Sequence, residues 1–525
     1  MERHIGTWHK ENDSSKSEVG ELLIDGNHLE FYSRFHGLVF PETFIGEDGQ
    51  FRYKVFVNGY AKPGQNRILD YTSSHRVFYV LMKNVDFSKG TDISGIEEFS
   101  FAIPELTEWL GIQTVFYCCT DQDEPAAGEM HLEPIIIHET DPRIELYFES
   151  KTYESISSLE DITAITIKKE PRISVTYNQP ADIQRIQNDI ECIMQFFGLL
   201  IGKVSTADNI RLSIEGQKQK SWLYINHDYS YNLMNRDVMD RPRTYHYVLG
   251  DNLILYFSNW HKFCFDDRFT LLRRIYFSVN DRKEIFAEEI FVEYMRILDG
   301  YHTRISGDAE IEEKLNKALK TASKVIKTQI FKEDNRPIFE EAFQSVLPDW
   351  KYNSSNMGDI SGWIAAGYLG RKSLSHRLKE LDNLYFGIIK NNAVDIERLA
   401  RNTEKCKNMT DDQIIELFYR ELGDTRNYYS HYKKNKTGVL DFSQMNDSIR
   451  VLKTTIICIF LSHMGIEKDL IRRIVEFDSE LHFQTQFLRK PYERPFLHTQ
   501  EWLKTIEKES ATHSEDSDGM VKSDV

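Results

Sequence analysis

Apolar and polar residues alternate along much of the first half of the chain, then recur at three- and four-residue steps through the second. Val19-Gly20-Glu21-Leu22-Leu23-Ile24-Asp25-Gly26 and His28-Leu29-Glu30-Phe31-Tyr32 read as a hairpin bent near Asp25-Gly26. Further strands are predicted at Phe51–Val57, Val77–Leu81, Val115–Cys119, Leu132–His138, Arg143–Phe148, Ile162–Ile167, Ile173–Tyr177 and Leu253–Phe257. Val, Ile, Tyr and Phe dominate them, and Gly, Pro, Asn and Asp separate them. One helix interrupts the series. From Ala181 to Leu200, residues Ile183, Ile186, Ile190, Ile193 and Phe197 share one helical face.

The period changes after about Phe277. Phe286, Ile290, Phe291, Tyr294, Ile297 and Leu298 make one helical stripe ending near Asp299-Gly300-Tyr301-His302. Leu315, Leu319, Ala322, Val325 and Ile326 make the next, and Leu374, Leu378, Leu381, Leu384 and Ile388 a third. Ile414, Leu417, Phe418 and Leu422 form a short helix that Gly423 is placed to end, and Ile449 to Met464 a long apolar one. The expected fold is α+β with two domains: a β-rich N-terminal domain over 1–277, then an all-α bundle over 278–478. A C-terminal extension, 479–525, finishes in Glu507–Val525, a Ser-, Asp-, Glu- and Lys-rich stretch without aromatics that reads as a disordered acidic tail.

Charge narrows the function classes. With 82 acidic against 65 basic residues, net −17, the chain lacks the broad cationic surface that coats nucleic acid, although one local basic site is compatible with it. Cys118, Cys119, Cys192, Cys264, Cys406 and Cys458 show no C-x-x-C spacing and read as buried, reduced thiols. The N-terminus has no signal-peptide core, and no apolar run reaches the ~20 residues needed to span a bilayer, so a cytoplasmic protein without a membrane partner is expected. The first half has no Gly-rich phosphate loop, no G-x-S-x-G and no paired metal motif, which leaves it recognition, regulation or support.

The basic site is Gly423-Asp424-Thr425-Arg426-Asn427-Tyr428-Tyr429-Ser430-His431-Tyr432-Lys433-Lys434-Asn435-Lys436. No Asp or Glu occurs from Thr425 to Leu440. Arginine followed five residues later by histidine occurs three times: Arg241…His246, Arg371…His376 and Arg426…His431. The first, next to Pro242, reads as a loop entering a strand. In the second, His376 lies off the apolar face of a predicted helix over Ser373–Ile388 and reads as solvated. The third has Asn427 beside its arginine and Lys433, Lys434 and Lys436 behind its histidine. If Gly423 closes one helix and Asp424 or Thr425 caps the next, Arg426 falls in a first turn, where the macrodipole disfavours a cation and a bound phosphate would relieve it. A five-residue step on a helix separates Arg426 and His431 by about 140°. An irregular helix, a curled arginine or a second subunit is then needed to complete a site.

Arg426-Asn427, three residues and His431, late in a helical domain, resemble the catalytic motif of HEPN ribonucleases. Phe291–His302 and Ser373–Leu381 are similar to the ApeA-like HEPN subgroup, and Gly6-Thr7-Trp8 with Val19-Gly20-Glu21-Leu22 to its β-rich N-terminal domain. The chain departs from the subgroup in carrying Asp299 where glutamate is expected, and in lacking a tyrosine two residues after His431. The resemblance implies a dimerising, RNA-cleaving toxin of anti-phage abortive infection, acting without metal or cofactor. Arg426, Asn427 and His431 would be catalytic, with Lys433, Lys434, Lys436 and Tyr429 binding substrate and Asp299 in support. It also implies RNA, plausibly tRNA, as substrate, a homodimer or higher homo-oligomer, and a phage-derived trigger sensed through the N-terminal domain. The alternatives are a non-catalytic HEPN module that binds RNA or protein, and a dimerisation domain attached to an unrecognised N-terminal activity.

Overall fold

The computed structural model describes residues 2–25, 28–33, 41–60, 73–83, 94–112, 115–119, 125–129, 131–156, 162–202, 207–216, 220–225, 242–282, 285–305, 335–344, 373–399, 406–431 and 438–478, with isolated helical positions at 317, 321, 324, 325 and 328. The chain folds as two compact units. The first takes its described residues from Met1–Asp266, Phe277–Ile285 and Phe460–His482, the second from Asp267–Tyr276 and Phe286–Ile459. The fold is α+β, a β-rich N-terminal part followed by a helical one.

Six strands build the centre of the first unit: β1 (Glu2–Lys10), β2 (Asp13–Asp25), β3 (His28–Ser33), β4 (Glu42–Glu47), β5 (Arg52–Tyr60) and β6 (Ser73–Lys83). They neighbour one another in the order β6-β3-β2-β1-β4-β5, and β5 pairs back onto β6, so the six close into a ring. The expected hairpin is present, with Asp25 opposite His28 and Leu22 opposite Phe31. Every strand sends apolar side chains into one core: Trp8, Leu22, Ile24, Leu29, Phe31, Phe44, Tyr53, Val55, Val57, Val77 and Val80. Trp8 is its plug, fully buried. Glycine is required on either side of that indole. A Cβ at Gly46 would fall 2.2 Å from Trp8 Cε3, and one at Gly20 would fall 2.8 Å from Trp8 Cδ1.

The first part of β6 pairs with β3 and the later part with β14 (Ser221–Ile225), where the sheet leaves the ring. It continues through β13 (Asp208–Ile214), β7 (Ser94–Ala102), β12 (Ile162–Asp182) and β11 (Arg143–Ile156) to β10 (Ile135–His138). The strands β8 (Val115–Cys119) and β9 (Pro125–Glu129) form a separate ribbon. Two predicted strands, at Ile162–Ile167 and Ile173–Tyr177, are one strand running through Pro171. Pairing of β12 with β7 starts only at Arg172, so the missing N–H of Pro171 removes no bond on that side.

The helices of this unit are α1 (Leu106–Leu110), α2 (Ile183–Ile201), α3 (His246–Leu249) and α4 (Leu253–Cys264). Asp182 caps α2 by accepting from the Arg185 N–H at 2.8 Å, and Gly202 ends it in the left-handed region. Leu253–Phe257, expected as a strand, is instead the start of α4. The buried set Leu253, Tyr256, Phe257, Trp260, Phe263 and Cys264 has helical spacing, visible only beyond the five apolar residues that suggested a strand. His246 likewise opens a short helix where a strand was expected.

The second unit is helical. After α5 (Asp267–Asp281), which the apolar pattern did not suggest, come α6 (Ala287–Ile305), α7 (Arg336–Gln344), α8 (Leu374–Leu384), α9 (Ile388–Leu399), α10 (Asp411–His431) and α11 (Phe442–His463); α12 (Lys468–Phe477) belongs with the first unit. The α6 stripe is buried at Phe291, Tyr294, Ile297 and Leu298, but Phe286 precedes the helix and is exposed. The stripe predicted over Leu315–Ile326 lies mostly outside the described residues, as does Glu507–Val525. The helix expected over Ser373–Ile388 breaks in two, because Phe386 and Gly387 both take positive φ. At that break Asp382, fully buried, accepts from the Ile389 N–H (2.9 Å), the Lys390 N–H (2.8 Å) and the Tyr419 hydroxyl (2.6 Å). Cys192, Cys264, Cys406 and Cys458 are buried and form no disulfide. Among the described residues no helix is long and apolar enough to cross a membrane.

Asp48 locks the turn between β4 and β5. Burial pushes its carboxyl up, but N–H bonds from Phe51 and Gln50, the Tyr53 hydroxyl at 2.7 Å and His4 outweigh that and hold it down to about 2. An unfolded aspartate titrates near ~3.9. The stabilisation is therefore present above about pH 4 and is lost as pH falls towards 2. Asp48→Asn is expected to cost about 2 kcal/mol at pH 7, and its deficit relative to wild type should shrink between about pH 4 and pH 2. Denaturant titrations followed by tryptophan fluorescence at stepped pH check this; a deficit independent of pH contradicts it.

Candidate nuclease site

Helix α10 begins with a reciprocal cap: the Thr410 N–H bonds Gln413 Oε1 (2.9 Å) and the Gln413 N–H bonds Thr410 Oγ1 (3.4 Å). Asp411 and Asp412 then complement the positive end of the dipole. Ile414, Leu417, Phe418 and Leu422 are buried as expected, but the helix does not stop at Gly423. It runs without interruption to His431.

Gly423 serves close packing instead of termination. A Cβ there would stand 3.2 Å from Ser375 Oγ, 3.9 Å from Ser375 N and 4.0 Å from Leu374 Cβ, all at the start of α8. The expected cap at Asp424 or Thr425 is accordingly absent, and Arg426 lies in the penultimate turn of a 21-residue helix. The expected first-turn penalty on a cation is therefore absent at Arg426. A phosphate at Arg426 therefore meets no helix N-terminus.

Thr425 does different work. Its buried hydroxyl accepts from the Leu440 N–H at 2.9 Å, returning the chain to α10 nine residues after His431. Gly438, at positive φ, packs against Asp424 next to this tie. Arg426 is half-buried; its Nη1 donates to Asn427 Oδ1 at 3.1 Å, and its enclosed Nε has no hydrogen-bond partner among the described residues. Tyr429 meets Tyr428 edge-on at 5.0 Å, and burial, then the charge of Glu288, pushes its hydroxyl up. His431 is exposed at the last position of the helix. Arg426 and His431 share no hydrogen bond, as the ~140° separation on a regular helix requires. Lys433, Lys434 and Lys436 lie outside the described residues.

A family model described as ApeA N-terminal domain 1 matches residues 3–260, and one described as Apea-like HEPN matches residues 292–470. The chain is an ApeA-like protein with a C-terminal HEPN domain. Neither a curated protein nor a solved structure matches it. HEPN domains are generally ribonucleases, which gives the helical domain a nuclease or RNA-binding role.

Elsewhere in the HEPN domain, the carboxylate of Asp299 on α6 goes to Arg377 Nη1 on α8 at 2.6 Å, and Arg377 Nη1 also donates to Thr303 Oγ1 at 3.3 Å. Three residues after Asp299 on α6, buried His302 places Nε2 2.8 Å from Glu380 Oε2. The exposed ring of His376, in the first turn of α8, places Nε2 3.3 Å from the other oxygen of the same carboxylate. The Arg…His spacing points to His376, which reads as solvated; His302 and Glu380 lie in the stretches similar to the ApeA-like subgroup, but their proximity depends on how α6 packs on α8. Of the other two Arg…His pairs, Arg241 and Arg371 lie outside the described residues, and His246 stands edge-on to Trp109 at 5.5 Å.

Thr425→Val keeps the shape and removes the acceptor of a buried N–H, so a loss of about 1–3 kcal/mol is expected. Thr425→Ser keeps the hydroxyl and should lose less. Thermal or denaturant unfolding of the two variants checks the order; equal stability would contradict the tie to Leu440.

Proposed function

We propose that the HEPN domain is a metal-independent endoribonuclease whose catalytic residues are Arg426, Asn427 and His431. The observation that carries this reading is their placement in the last two turns of one helix, with the guanidinium held by Asn427 and the imidazole exposed at the helix end. In the proposed reaction the ribose 2′-hydroxyl attacks the adjacent phosphorus and expels the 5′-oxygen. The products are a 2′,3′-cyclic phosphate and a 5′-hydroxyl. His431 takes the 2′-hydroxyl proton and returns one to the departing 5′-oxygen. Arg426, always charged, holds the non-bridging oxygens as charge builds on them. Asn427 orients the guanidinium, and Asp299 supports the fold of the site through Arg377. Lys433, Lys434 and Lys436 hold the flanking backbone, and Tyr429 offers a face for a base.

Two side chains ~140° apart on one helix argue for a homodimer or higher homo-oligomer, in which a second copy brings its motif to the same phosphate. On this reading the target is tRNA, the location is cytoplasmic and the role is anti-phage abortive infection, which membership of the ApeA-like family supports. On this reading the N-terminal domain, 1–277, senses a phage-derived trigger and silences the nuclease domain, 278–478.

Purified protein incubated with total RNA and EDTA tests the reading. Cleavage should persist in chelator, leave 2′,3′-cyclic phosphate ends, and fall by about a hundredfold or more in Arg426→Ala and in His431→Ala. RNA that is bound but never cut would favour a non-catalytic module. Cleavage that survives His431→Ala but is lost on mutating acidic and histidine residues of 1–275 would place the activity in the N-terminal half.

A further inference from the structure

Helix α10 runs without interruption from Asp411 to His431, so regular helical geometry relates every residue on it to the motif. At ~100° per residue, Gln413, Glu416, Arg420, Asp424, Asn427 and His431 fall within about 80° of one another. They form a stripe opposite Ile414, Phe418, Leu422 and Thr425, which belong to the buried side of the helix. Gln413, Glu416, Arg420 and His431 are exposed, and Asp424 and Asn427 are half-buried. Along this stripe Arg420 precedes Asn427 by about 10 Å and His431 by about 16 Å, at ~1.5 Å per residue.

Arg420 is the permanent cation of the stripe, and its acidic neighbours do not hold it. Glu416, one turn earlier, pairs with Lys379 of α8. Asp424, one turn later, packs on Gly438, and a base four residues before an acid is the weaker order for a helical pair. Arg420 makes no hydrogen bond and no ion pair among the described residues. The charge of Asp424 makes the middle of the stripe unattractive to a phosphate. An anion on this face therefore meets Arg420 at one end or the motif at the other.

We propose that Arg420 is a substrate-binding residue: it holds a backbone phosphate of the RNA away from the scissile one, so that the strand runs along α10 and not across it. Lys433, Lys434 and Lys436 follow His431 in the chain and take the other flank. Cations then lie on both sides of the scissile phosphate. A planar guanidinium can meet two oxygens of one phosphate at once, which suits Arg420 to fixing a strand. A contact of this kind carries no base information, so Arg420 sets the register and direction of the RNA and not its sequence. The proposal rests on the reading of Arg426, Asn427 and His431 as the cleavage site.

Binding and cleavage test the two separately. The full-length protein and its variants would be titrated with a labelled oligoribonucleotide carrying 2′-methoxy groups throughout, which cannot be cut. A second set of oligonucleotides would carry a neutral methylphosphonate at one linkage at a time. Arg420→Ala should weaken binding roughly tenfold and make the slope of log affinity against log salt shallower by about 0.7. Arg420→Lys, which keeps the charge, should restore most of the affinity. At one linkage the neutral group should weaken binding by wild type but not by Arg420→Ala. On ordinary RNA, Arg420→Ala should raise KM by a similar factor, with kcat close to wild type. Unchanged affinity and salt slope, or neutral linkages that cost wild type and Arg420→Ala alike at every position, would overturn the proposal. So would a fall in kcat at saturating RNA with KM unchanged. Ordinary RNA cut equally by wild type and His431→Ala would instead overturn the reading on which it rests, and the proposal with it.

Discussion

The helical domain depends on one buried carboxylate. Asp382 is fully enclosed, and burial pushes its carboxyl up, against the pull of Tyr419 and two backbone N–H groups. A charge in that position is tolerable only because three donors surround it. Those donors come from the first turn of α9 and from the middle of α10, while Asp382 itself belongs to α8. One side chain thus fixes where α8 stops, where α9 starts and how far along α10 both are held. The turn that carries Arg426 and Asn427 is placed by contacts that begin there and continue through Ser375 and Gly423.

The site inherits its character from this packing. Gly423 lets α10 approach α8 closely, Thr425 returns the following chain to the helix, and Arg426 follows with its guanidinium already directed by Asn427. Fixing a long arginine before a substrate arrives reduces the ordering that binding must impose.

Where apolar pattern is periodic over a long window, the sequence is a good guide: α2, α6 and α11 form where the spacing puts them, and Asp25 does turn the first hairpin. Errors cluster where an isolated local signal competes with tertiary packing. Glycine ends many helices, yet Gly423 stays inside one because a neighbouring helix occupies the space of its Cβ. Leu253–Phe257 satisfies strand propensity over five residues, and only Trp260, Phe263 and Cys264 reveal the helix. Of the candidate site, Arg426, Asn427 and His431 were legible as a motif and Tyr429 and Asp299 as neighbours in name only. The direction of Asp299 towards Arg377, and the approach of His302 to Glu380, belong to the crossing of two helices 70 or more residues apart and leave no trace in local spacing.

The closed ring of β1 to β6 has a consequence for the solubility of the protein. A sheet that ends in an open strand offers unpaired N–H and C=O groups to any extended peptide it meets. Here one end of the twelve-stranded sheet curls round and pairs β5 with β6, so that end has no terminal strand to offer. The other end is β10, only four residues long, with His138 turned onto Phe257 and His261 of α4. The ring thus removes one edge from self-addition, while Tyr147–Ile156 of β11, which pair only with β12 among the described residues, keep another open. For a protein proposed to wait unused until infection, resistance to slow aggregation is worth as much as resistance to unfolding.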